Sequence, residues 1–71
     1  MSGSAVFTFE TTHQAMWAED VALERGVPAE VIPAPPEARA KCGLALQTLS
    51  DRAEELEGAM RDEGIEFHRH V

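Results

Sequence analysis

Twice in this 71-residue chain a stretch of good helix formers ends in glycine and passes directly into a β-branched residue, at Gly26-Val27 and at Gly64-Ile65. Glycine closes a helix by taking the left-handed conformation without steric cost. A β-branched residue then favours extended backbone. Each half of the chain therefore reads as a helix feeding a strand. The segments before the helices are also extended in character. Ala5 to Glu10 contains Val6, Phe7, Thr8 and Phe9, all strand formers. Gly43 to Thr48 places Leu44 and Leu46 on one face. Ala29 to Ala34 supplies a further strand, stopped by Pro33, Pro35 and Pro36, because proline cannot donate to a ladder. Ile65 to Val71 supplies the last, with Ile65, Phe67 and Val71 alternating with Glu66, His68 and His70.

The helices have legible starts and buried stripes. Thr11 followed by Gln14 fits a capping box, in which each side chain serves the other residue's backbone N–H. From Thr12 to Arg25, Ala15, Ala18, Val21 and Ala22 share one face, with Trp17 at its rim. Ser50 or Asp51 is the expected cap of the second helix, which runs to about Glu63 with Ala53, Leu56 and Met60 buried. Met16 and Met60 are expected as gap fillers. The element order is β-α-β-β-α-β within one domain, residues 1–71. The expected fold is α+β and ferredoxin-like: a four-stranded antiparallel sheet of order 4-1-3-2 with two helices on one face. The other face is expected to carry Val6, Thr8, Glu66, His68 and His70. The weakly charged strand Ala29 to Ala34 would form an edge, which offers a route to a homodimer.

Charge and composition narrow the function classes. Thirteen acids against six bases give a net charge of −7, a surface that repels phosphate backbones, so no nucleic-acid partner is expected. Glu54, Glu55, Glu57, Asp62 and Glu63 read as a solvated helix face. No apolar run approaches the roughly 20 residues that span a bilayer, so no membrane association is expected. One cysteine and no secretory signal point to the reducing cytoplasm. Neither a Gly-rich phosphate loop nor a CxxC or Ser/His/Asp arrangement is present, so neither an enzyme nor a cofactor is expected.

Cys42 is the residue on which function turns. A lone thiol forms no intrachain disulfide, so it is either a small packing residue or a reagent. In the expected topology the third strand begins at the sheet edge where the first strand leads into the first helix. Cys42 then falls near Thr11, Thr12 and His13, and its parity with Leu44 and Leu46 turns it toward the helices. Helix N–H groups there, with Lys41 and Arg39 adjacent, would lower the thiol's pKa. His13, in the first helical turn, is either a base or donor beside that thiol or an exposed surface histidine. His68 and His70 share a strand face, a spacing that can hold a metal. They are expected at the opposite end of the sheet from Cys42, and no metal site is assigned.

Three segments carry a family resemblance. These are Phe9-Glu10-Thr11-Thr12-His13-Gln14-Ala15, Val31-Ile32-Pro33-Ala34-Pro35 and Cys42-Gly43-Leu44-Ala45-Leu46. Together they resemble the "Putative Se/S carrier protein-like" family over about Val6 to Phe67. Pro36 and the run from Ala38 to Lys41 depart from its usual basic residue and serines, with Arg39 and Lys41 supplying charge further along the loop. The resemblance implies a carrier of sulfane sulfur or selenium, with Cys42 as the carrying thiol; the expected topology and the neighbouring charge add Thr12, His13, Lys41 and Gly43 as the candidate binding residues. A carrier of this kind would take its cargo from a cysteine desulfurase or a selenium-delivery enzyme, the expected partner. Two other classes stay open: a soft-metal-binding chaperone, and an interaction or regulatory module in which Cys42 only packs.

Overall fold

The computed structural model describes residues 3–35 and 43–70. Four strands form one sheet: β1 (Ser4–Thr8), β2 (Ala29–Pro33), β3 (Leu44–Leu49) and β4 (His68–Arg69). Their order across the sheet is β2-β3-β1-β4, and every neighbouring pair is antiparallel. The ferredoxin-like expectation is thus met. The helices α1 (Thr12–Glu24) and α2 (Ala53–Glu63) complete the element order.

Parity in β1 divides the sheet into two faces. Ala5, Phe7 and Phe9 pack into the core cluster, which also holds Ala15, Ala18, Val21 and Ala22 of α1 and Ala53, Leu56, Ala59 and Met60 of α2. Register fixes the rest. Phe7 stands opposite Leu46, which joins the same cluster, while Val6 stands opposite Gln47 and Thr8 opposite Ala45. Both helices therefore cover one face. Phe7, Leu46, Leu56 and Met60 are all fully buried, and each large side chain sequestered there contributes about 1.5–3 kcal/mol. Alanines on α1 let that helix lie close to the strands, and Phe67 meets Phe7 edge to face with ring centroids 5.4 Å apart.

The ends of the elements explain their lengths. Thr11 caps α1, its hydroxyl accepting from the Gln14 N–H at 3.1 Å. Only this half of the capping box forms, since Gln14 Oε1 is buried without a partner. Gly26 and Gly64 take φ of 71° and 81°, the left-handed closures expected. The second helix starts differently. Ser50–Arg52 form a 3₁₀ turn, and neither Ser50 nor Asp51 caps α2 with its side chain. Arg52 instead donates to Glu55 Oε1 at 2.8 Å and to the Gly26 carbonyl at 3.2 Å, tying this turn to the end of α1.

One further expectation is met and one is corrected. β2 ends at Pro33, paired with Leu44, as expected of a proline that stops a strand; β2 is an edge strand, so the missing N–H is not demanded by a second neighbour. The last strand is much shorter than Ile65 to Val71. Only His68 and Arg69 form ladder pairs, while Ile65 and Phe67 pack toward the helices before the ladder begins.

Candidate functional site

The site expected from sequence lies where β1 ends, α1 begins and β3 starts. Thr8, the last residue of β1, pairs with Ala45, and Leu44 pairs with Pro33 at the end of β2. Gly43 stands just outside, its carbonyl accepting from the Ala34 N–H at 3.0 Å. Three residues beyond Thr8, Thr11 caps α1. The start of β3 and the positive end of the α1 dipole thus share one edge of the sheet. Thr12 and His13 occupy the first turn of α1 and are both exposed. Cys42 and Lys41 fall outside the described residues, as does Arg39. Of the five expected site residues, Thr12, His13 and Gly43 are therefore placed, at the expected edge.

The histidines of the last strand lie on the open sheet face, as the sequence predicts, but not at its far end. His68 stands opposite Thr8, and Thr8 stands opposite Ala45. His68 is therefore level with the start of β3, about 10 Å across two strand spacings, and not at the far end. The cause is the late start of the β4 ladder: Ile65, Glu66 and Phe67 are used before pairing begins. On the face away from the helices, His68 Nε2 lies 3.9 Å from Glu10 Oε2, and His70 Nε2 lies 2.6 Å from the Thr8 hydroxyl. Among the described residues no group of three or more His, Cys, Asp or Glu side chains converges as a metal would require.

That second face is partly closed. Thr8 and Val6 are only 2% and 8% exposed, and Ala45 is fully buried, whereas Leu49 is 44% exposed. It is mixed in chemistry, as expected, but its centre is drier than a run of Thr, Glu and His suggests. Small side chains at the middle of a pleat are shielded by their neighbours, which a strand pattern alone does not reveal.

Sequence reasoning missed the residue that anchors β4. Glu57 of α2 accepts from Arg69 at 2.8 Å and from Arg61 at 3.0 Å, with its own side chain only 14% exposed. The guanidinium of Arg61 also lies 5.5 Å from the Phe67 ring centre. The i, i+4 spacing of Glu57 and Arg61 was a usable signal; the 12-residue reach to Arg69 had none. No helix among the described residues is long and apolar enough to cross a membrane.

Fold and site together define a small ferredoxin-like α+β domain in which a strand start and a capped helix N-terminus share one sheet edge. The chain belongs to the family described as "Putative Se/S carrier protein-like", whose model matches residues 4–70. No curated protein and no solved structure matches it.

Proposed function

We propose that this chain carries sulfane sulfur or selenium on Cys42. Membership of the carrier-like family over nearly the whole chain is the observation that carries this reading. The fold supports it through Gly43, the residue after Cys42, which stands at the edge where α1 begins. In the transfer, the Cys42 thiolate attacks the outer sulfur of a persulfide on a donor such as a cysteine desulfurase. The donor's S–S bond breaks, its own thiolate leaves, and Cys42–S–SH forms. One S–S bond replaces another, so no outside oxidant or reductant is needed. A selenium-delivery enzyme would load selenium by the same exchange. Backbone N–H groups of the first α1 turn, with Thr12 and His13, would stabilise the anionic cargo, and Lys41 would add charge. A partner thiolate would then collect it. The chain contributes binding and protection, and the donor contributes the chemistry, so it is not itself an enzyme and needs no cofactor. Intact mass after incubation with a cysteine desulfurase and cysteine tests this. One sulfur gained at Cys42 and lost to dithiothreitol supports it, and an unmodified Cys42 contradicts it.

A further inference from the structure

Apolar residues occupy both sides of α1, and among the described residues only one side is covered. Ala15, Ala18, Val21 and Ala22 are buried in the core. Roughly opposite them, at the repeat of 100° per residue, lie His13, Met16, Trp17 and Asp20. Met16 is 49% and Trp17 36% exposed, and the four residues line one shallow groove. Met16 was expected to fill a core gap and does not. A methionine and the sole tryptophan side by side on an outer helix face form a compact apolar centre.

We propose that this stripe is where a second copy of the chain docks, α1 against α1, antiparallel about a two-fold axis. In such a contact each residue faces the one at the mirrored position of the partner helix. Any stripe spaced i, i+3, i+4, i+7 is its own mirror. The chemistry of this one also complements itself: Met16 meets Trp17, a sulfur–aromatic pair, and His13 at one end meets Asp20 at the other. An imidazole faces a carboxylate twice per dimer, and the helix dipoles run oppositely. A stripe of four residues is a small interface, so the dimer is weak and reversible, as the net charge of −7 on each copy also requires. This interface does not rest on the carrier reading or on the β2 edge, and it shares His13 with the proposed carrier site.

Sedimentation equilibrium and tryptophan emission, followed over concentration up to about 1 mM, test it. Mass should rise with concentration, and the emission of Trp17 should move to shorter wavelength in step. Met16→Glu should abolish both changes while far-UV circular dichroism stays native. His13→Asp and Asp20→Lys should each weaken association about tenfold, since two exposed pairs turn from attractive to repulsive. The double variant should recover most of that loss. A monomer throughout the range overturns the proposal. So does a dimer that leaves Trp17 emission unchanged and ignores these substitutions, because it uses another face. Failure of the double variant to recover overturns the antiparallel arrangement.

Discussion

Thr8 and His70 meet on the sheet face away from the helices, hydroxyl oxygen and imidazole Nε2 2.6 Å apart, and so join the first strand to the end of the chain. The His70 N–H also donates to the Val6 carbonyl at 2.9 Å. With only two ladder pairs in β4, these contacts and the Glu57–Arg69 link hold that strand in place. His70→Ala should cost about 1 kcal/mol in urea unfolding, because it leaves the Thr8 hydroxyl without its partner. Thr8→Val combined with His70→Ala should cost less than the two single changes summed. Strict additivity would show that the contact contributes nothing.

Glu57→Gln should loosen the same strand from the helix side. Its carboxylate receives two guanidinium groups, and an amide oxygen holds them more weakly. Amide hydrogen exchange at Arg69 and His70 should quicken several-fold, with α1 unaffected. Uniform acceleration across the domain would mean that Glu57 supports global stability instead.

Three glycines separate conformational from steric effects. An added Cβ would meet nothing within 4 Å at Gly26, Gly58 or Gly64. Gly26 and Gly64 nevertheless have positive φ, so alanine at either should destabilise by about 1 kcal/mol. Gly58 lies inside α2, where alanine should stabilise by up to about 1 kcal/mol. Opposite signs in matched urea melts are the expected result, and equal signs would contradict the assignment of the helix ends.

Arg52 holds the Glu55 carboxyl below its ordinary value, chiefly by its hydrogen bond, which outweighs the opposing effect of burial, with its charge adding to it. A lowered folded-state value means that the pair's contribution is present above the ordinary value and is lost as pH falls through the lowered one. Both groups are exposed, so the readout is titration, not stability. Arg52→Ala should raise the Glu55 midpoint seen in carboxyl-carbon NMR. An unmoved midpoint would show that the pair does not persist in solution.

Much of the fold was legible because small-domain physics leaves few alternatives. The alanine stripe of α1, the Ala53-Leu56-Met60 stripe of α2 and both glycine closures were readable, since helical period and left-handed backbone are local properties. Ferredoxin-like order followed from them and the strand pattern. What was not legible depended on contacts between distant residues. Ser50 looks like a cap, but the chain enters α2 through a 3₁₀ turn that Arg52 ties to Gly26. The length of the last strand depended on Ile65 and Phe67 finding the core before pairing began, and that moved His68 to the end of the sheet where β3 starts. Of the candidate site, the edge shared by Gly43 and the first turn of α1 was readable from topology, and Cys42 and Lys41 lie outside the described residues.

The carrier account is tested most directly by the rate at which Cys42 gains sulfur. Wild-type chain, the Cys42→Ser variant and an unrelated protein of similar size with one exposed cysteine should each be incubated with a cysteine desulfurase and cysteine, and followed by intact mass. Wild type should gain one sulfur, mapped to Cys42 and removed by dithiothreitol, several-fold faster than the unrelated protein. Cys42→Ser should fold and gain none, and His13→Ala should load more slowly or lose its sulfur sooner. Loading no faster than the unrelated protein, or a Cys42 left unmodified by several desulfurases, would contradict the account and leave Cys42 as a packing residue.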